Sequence, residues 1–249
     1  VMGRDHEARP LAEEAVAILA RTIGTGPVLY ARAATILGTI IETSDPKGAL
    51  DYYQRALEVL EQVVPDSMPE AFAHLSLAAV SLVLSDHAEA ERQARRALSL
   101  YEQLLGPDHP NVATVLYMLG TALTRSQRWE EAEQVLRRSL DVAERVMGAG
   151  SIKAAYSLVA LGDLLLRRGR SREALVYLAR ATAISAVQID EARDVASGTI
   201  LHGRALLALG RRAEAIHVVK AARGRIAAGS EVGADLLAQL DAWIAAPQP

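Results

Sequence analysis

Residues 119–139 read Leu-Gly-Thr-Ala-Leu-Thr-Arg-Ser-Gln-Arg-Trp-Glu-Glu-Ala-Glu-Gln-Val-Leu-Arg-Arg-Ser, and residues 161–181 read Leu-Gly-Asp-Leu-Leu-Leu-Arg-Arg-Gly-Arg-Ser-Arg-Glu-Ala-Leu-Val-Tyr-Leu-Ala-Arg-Ala. The two stretches lie 42 residues apart and share one plan. Each has a Leu-Gly, a polar basic break, an Ala twelve residues after the Gly, and a second small residue seven further on. The plan extends in both directions. Ala-x6-(Ala/Ser) pairs recur at Ala49/Ala56, Ala90/Ala97, Ala132/Ser139, Ala174/Ala181 and Ala215/Ala222, in steps of 41, 42, 42 and 41. Ala78, Gly120, Gly162 and Gly203 stand twelve residues before the second to fifth pairs, and Gly38 stands eleven before the first. Small residues at fixed offsets mean two helices per unit that approach closely at the same point each time. A period in this range marks a helical solenoid.

Leucines flank the small residues at helical spacing, as at Leu116, Leu119, Leu123 and at Leu158, Leu161, Leu165. The expected fold is all-α: a right-handed α-solenoid of five helix-turn-helix repeats with a helix at each end. One solenoid spans residues 1–249. An N-terminal helix lies in 8–27, repeats occupy 28–68, 69–109, 110–151, 152–190 and 191–229, and a C-terminal capping helix lies in 230–249. That last helix carries Leu236, Leu237, Leu240, Trp243 and Ile244 on one side. It would cover the apolar face that a terminal repeat leaves open. Ser151 and Ser171 are expected as N-caps.

Composition narrows the chemistry. The chain is 51% apolar and only 4% aromatic, which suits helices packed through small side chains. A net charge of −3 gives no general attraction to nucleic acid or to anionic membranes. There is no cysteine, so disulfides, zinc-thiolate sites and a Cys nucleophile are excluded. No signal peptide or membrane-spanning stretch is apparent, and a cytoplasmic location is expected. Glu70 with His74, and His87 with Glu91, share helical faces at i, i+4, but neither forms HExxH and the sequence supplies no third ligand. Gly148-Ala149-Gly150 precedes a helix in the manner of a phosphate loop, yet no strand leads into it and it aligns with the Gly106 turn 42 residues earlier. No catalytic constellation, metal or cofactor is expected.

Leu119-Gly120, Leu123, Ala132, Leu136 and Ser139 resemble the signature positions of the tetratricopeptide repeat family. The period and the junction Leu105-Gly106-Pro107-Asp108-His109-Pro110 make it similar to the kinesin-light-chain type, as does the turn Arg128-Trp129-Glu130-Glu131-Ala132-Glu133. The resemblance covers roughly residues 28–228. It implies a non-catalytic scaffold that binds a partner helix or peptide in its concave groove. Members that clamp extended peptides often carry paired Asn, or Lys and Asn, on the first helix; this chain has a single Asn, Asn111, at a helix start. The tail Leu236 to Ile244 is similar to the end of repeat regions fused to bacterial Ser/Thr protein kinases. That likeness implies an alternative role as the regulatory or sensor region of a larger signalling protein.

Two surfaces are candidates for a partner. Projection from the small residues puts Phe72, Leu75, Thr114, Tyr117, Thr121, Tyr156, Val159, Asp163, Ile200 and Arg204 in the groove, with Thr35, Thr39, Ala79, Leu82 and Leu166 on the same line. Phe72 and Leu75 would either seat a partner or pack between repeats. The second surface is a basic turn edge formed by Arg125, Arg128, Arg167, Arg168, Arg170 and Arg172. No aromatics interleave with these arginines, so base stacking is disfavoured. A protein or peptide partner is expected, an amphipathic helix or an acidic segment, with no nucleic acid and no membrane.

Overall fold

The computed structural model describes residues 5–21, 26–187 and 192–224, with residues 238, 241, 242 and 245. Among the described residues the chain forms eleven α-helices and no strand: α1 (Asp5–Arg21), α2 (Pro27–Ile41), α3 (Pro46–Val63), α4 (Met68–Val83), α5 (His87–Leu105), α6 (Pro110–Arg125), α7 (Trp129–Met147), α8 (Ile152–Arg167), α9 (Ser171–Val187), α10 (Ala192–Ala208) and α11 (Arg212–Arg223). None of them is long and apolar enough to cross a membrane. The chain divides into two compact units, residues 1–128 and 129–249. The stripe expected on the C-terminal capping helix, Leu236, Leu237, Leu240, Trp243 and Ile244, lies outside the described residues.

Each helix of the first unit packs on the next in the chain, and α2 also packs on α4 and α4 on α6. The second unit repeats this scheme, with α8 against both α9 and α10. First helices therefore lie beside first helices. The close approaches read from the sequence are present. A Cβ on Gly38 of α2 would lie 2.5 Å from the Tyr53 ring of α3, and one on Gly162 of α8 would overlap Leu178 of α9. Tyr53, Leu178, Ala49 and Ala174 are fully buried at these crossings. Tyr53 donates its hydroxyl to Glu42 Oε2 at 2.8 Å and to Thr39 Oγ1 at 3.3 Å. Burial pushes the Tyr53 phenol above its usual range. It raises the Glu42 carboxyl too, against the lowering effect of the Tyr53 hydrogen bond.

Local chemistry sets the helix ends. Pro46, Pro69 and Pro110 sit in first turns, where their missing N–H costs nothing. Asp45, Ser67, Asp86 and Ser151 cap N-termini by accepting from Gly48, Glu70, Glu89 and Ala154 amides. Ser151 is thus the cap the sequence suggested. Ser171 is not, because α9 begins at Ser171 itself and the cap position falls to Arg170, whose carbonyl accepts from the Ala174 amide at 3.0 Å. His109 replaces the usual hydroxyl or carboxylate at α6, its Nδ1 accepting from the Asn111 amide at 3.1 Å.

The turn inside each repeat closes the same way four times. The amides of Asp86, Arg128, Arg170 and Arg211 reach back to the carbonyls of Ser81, Leu123, Leu165 and Leu206 at 2.8–2.9 Å. This is the six-to-one bond of a Schellman end, and it requires a left-handed residue just before the donor. Gly169 and Gly210 fill that position with φ of 73°. Ser85 and Gln127 fill it with φ of 62° and 60°, where an L side chain is strained.

Two outcomes follow from these contacts. Gly162→Leu should destabilise by about 1–3 kcal/mol through overpacking against Leu178, read as a lowered thermal midpoint. Gln127→Gly should stabilise by about 0.5–1 kcal/mol, because glycine adopts the left-handed turn without strain; a denaturant midpoint that falls instead would show that the Gln127 side chain matters more than its backbone.

Candidate functional site

An α-helix with neighbours on several sides keeps one line of residues for solvent. In the first unit α4 packs against α2, α3, α5 and α6. Glu70, Ala71, Ala73, His74, Ser76, Leu77, Ala78, Val80 and Ser81 are buried there. Between Glu70 and Leu82 the residues that remain are Phe72, Leu75, Ala79 and Leu82, at spacings of 3, 4 and 3; Phe72 is 45% exposed and the others are half-buried. On α6 the line is Thr114, Tyr117 and Thr121, all half-buried. The threonines add little polarity: Thr114 Oγ1 donates to the Pro110 carbonyl at 3.3 Å and Thr121 Oγ1 to the Tyr117 carbonyl at 2.8 Å. Each hydroxyl is turned onto its own helix, leaving the methyl as the outward group.

The second unit offers a more polar line. Tyr156, Val159, Asp163 and Leu166 of α8 are half-buried, and Lys153 Nζ stands 5.5 Å from the centroid of the Tyr156 ring. Asp163 pairs with Arg167 at 2.9 Å. On α10, Ile200 is half-buried and Arg204 exposed. Gly198 brings α10 close to Val159, where an added Cβ would lie 2.9 Å from Val159 Cγ2.

None of the ten groove residues read from the sequence is buried. On α2 the projection missed by a residue: Thr35 is buried with its hydroxyl on the Ala31 carbonyl, while Leu29 and Ile36 are more than half exposed. Thr39 is exposed as expected.

The arginine edge is different in kind from what its sequence suggests. Arg168 pairs with Glu130 at 3.0 Å and with Glu133 at 3.1 Å. Arg170 reaches Glu133 at 2.8 Å and Glu173 at 2.6 Å. Hydrogen bonding from Arg170 holds the Glu173 carboxyl below its usual range. Arg128 pairs with Glu91 at 2.5 Å. Arg125 and Arg172 are exposed. Arg128, Arg168 and Arg170 are therefore engaged with carboxylates of the preceding second helix, and Arg167 with Asp163 of its own helix. The sequence signal was present but overlooked: Glu91 and Glu133 are 42 residues apart, as are Arg128 and Arg170.

The described helix pairs agree with what known proteins show. A family model described as tetratricopeptide repeat matches residues 70–145 and 119–186. The chain carries tetratricopeptide repeats. A curated relative, the clustered mitochondria protein homolog of Aspergillus clavatus, is 29% identical over 119 residues. The match takes in 47% of this chain, which spans about a tenth of that relative's length. Among solved structures, BtubC (BKLC) from P. vanneervenii is similar with a TM-score of 0.72 at 20% identity, covering 89% of this chain and 90% of that one. A kinesin-light-chain-type protein of Podosopora anserina with nearly identical TPR-like repeats gives 0.62 at 16% identity, over 78% and 93%. A Rap protein complexed with competence and sporulation factor gives 0.60 at 14% identity, over 88% and 65%. At these identities the likeness is one of fold, of the kinesin-light-chain-like repeat type.

Replacing Glu133 tests the reading of the arginine edge. Glu133→Gln should lower the thermal midpoint and make stability less sensitive to added salt, because Arg168 and Arg170 lose a nearly buried counter-charge.

Proposed function

We propose that the chain is a non-catalytic scaffold whose first-helix face in the first unit seats an apolar helix of a protein partner. The observation that carries the reading is the line of Phe72, Leu75, Leu82 and Tyr117, half-buried to exposed, on helices whose other faces are taken up by packing. Apolar side chains at 3- and 4-residue spacing offer the complement to a helix with i, i+3, i+4 anchors. The near absence of Asn, with Asn111 alone in the chain, argues against clamping of a peptide backbone. The exposed Arg125 of the same unit serves as a rim charge that favours an acidic flank on the partner. The complex of a Rap protein with competence and sporulation factor supports a protein or peptide ligand for this fold.

A second reading is that these repeats regulate a larger signalling protein, such as a Ser/Thr kinase. The Aspergillus relative, in which the matched repeats are about a tenth of the chain, supports a place for them within longer proteins.

Capture from the native host with the isolated chain, followed by calorimetry with the captured partner, tests the first reading. Phe72→Ala with Tyr117→Ala should weaken binding by about 2–4 kcal/mol while the melt stays near wild type. Arg125→Glu should change mainly the association rate and its salt dependence. A double-alanine variant that binds as wild type, beside an Arg125→Glu variant that does not, would move the site to the turn edge.

A further inference from the structure

The contact between α3 and α4 holds a group that packing alone does not account for. His74 is 5% exposed and Glu70 1% exposed, and Glu61 reaches the same point from the end of α3. One ligand atom from each of these three residues lies within 4.8 Å of the other two. The tautomer of His74 can be worked out from its neighbours. Gln93 Nε2 donates to Glu89 Oε1 at 2.7 Å, so the Gln93 oxygen is the atom that faces His74 Nδ1 at 2.5 Å. An amide oxygen only accepts, so Nδ1 carries a proton. In the neutral ring Nε2 is then a bare lone pair. It makes no hydrogen bond, is shut off from solvent, and has Glu70 Oε1 at 3.4 Å.

Two acceptors facing each other in a buried site need a cation between them. A proton would draw them together, since an imidazolium–carboxylate bond closes to about 2.7–2.9 Å. A metal ion would hold them apart. With bonds of about 2.0–2.1 Å to nitrogen and oxygen, the edge of a tetrahedron around zinc is about 3.3–3.4 Å. The 3.4 Å separation is longer than a hydrogen bond and leaves room for a metal ion. The surroundings agree. Asp66 N–H donates to Glu70 Oε2 at 2.6 Å, and Arg96 donates to Glu70 Oε1 at 3.0 Å and to Asp66 Oδ1 at 2.9 Å. These bonds fix the carboxylate, and Gln93 fixes the imidazole, as outer partners do around metal ligands. Asp66 and Glu70 share the single guanidinium of Arg96, and Glu61 adds a further carboxylate beside Glu70, which leaves negative charge for a dication.

We propose that Glu61, Glu70 and His74 form a site for a divalent transition-metal ion of the zinc type, clipping α3 to α4. One imidazole and two carboxylates suit zinc better than magnesium, which prefers oxygen donors throughout. Glu61 is exposed and closes the remaining distance by side-chain rotation. The sequence pair Glu70/His74 lacked a third ligand because that ligand comes from the preceding repeat.

The test is a zinc titration of the chelator-treated full chain in competition with a chromophoric chelator, together with thermal melts. Wild type should take up one equivalent of Zn2+, undisplaced by millimolar Mg2+, and melt higher with it. Glu61→Gln and His74→Gln should each weaken binding tenfold or more and abolish the rise in midpoint. Wild type that takes up no zinc overturns the proposal, and so does either folded variant binding as wild type. Glu61 is exposed and its substitution leaves the core intact, so this variant decides the matter even where His74→Gln fails to fold.

Discussion

The structure depends on how closely the two helices of a repeat can approach. Gly38 against Tyr53 and Gly162 against Leu178 leave no room for a Cβ, so the axes are set by backbone meeting a large side chain. That distance fixes which residues of the second helix can be large and which must be alanine. Ala49, Ala56, Ala90, Ala97, Ala174 and Ala181 are accordingly almost fully buried. Van der Waals contact falls away steeply with separation, so a crossing this tight defines a register rather than a loose apolar contact. Four Schellman ends then close the turns before α5, α7, α9 and α11, even where Ser85 and Gln127 must adopt strained backbone to do it.

Between repeats the interactions become polar. Glu91 with Arg128 and Glu133 with Arg170 are the same contact made twice, a carboxylate one residue past the conserved Ala spacing taking the arginine at the next turn. Ser139 and Ser157 hydrogen bond at 2.8 Å with Ser139 fully buried, a further polar link from α7 to α8. Such bonds contribute little where they are exposed. Around Glu133, which is nearly buried, three arginines neutralise a single carboxylate and give the joint a preferred geometry.

The periodic parts of the chain were legible in its sequence, for a physical reason. A close approach needs a small residue at a fixed offset, so Gly38, Gly162 and the paired alanines announce the crossings directly. Helix spacing likewise carried Phe72, Tyr117 and Tyr156 to partly exposed positions. What escaped was what depends on two neighbouring repeats at once. The charge run Arg167 to Arg172 reads as a basic patch until Glu130 and Glu133 are seen to engage it. Glu70 and His74 read as an incomplete pair because Glu61 is contributed by the neighbouring repeat.

The division of labour within the first helices bears on function. Buried positions of α4 and α6 answer to packing and are held to Ala, Val, Leu and Ser by volume. The remaining line contacts no structural requirement of comparable strictness: a half-exposed threonine or serine would support the same fold at Phe72. Large apolar residues kept facing water offset none of the cost of helix packing and add exposed apolar area. Phe72, Leu75, Leu82 and Tyr117 are therefore among the residues of the first unit whose identity the fold leaves unexplained, and a partner surface that covers them supplies the explanation. The second unit's line, with Asp163 held by Arg167 and Arg204 exposed, presents charge among its apolar groups. The two units thus differ where they are free to differ, and that difference bears on what each can bind.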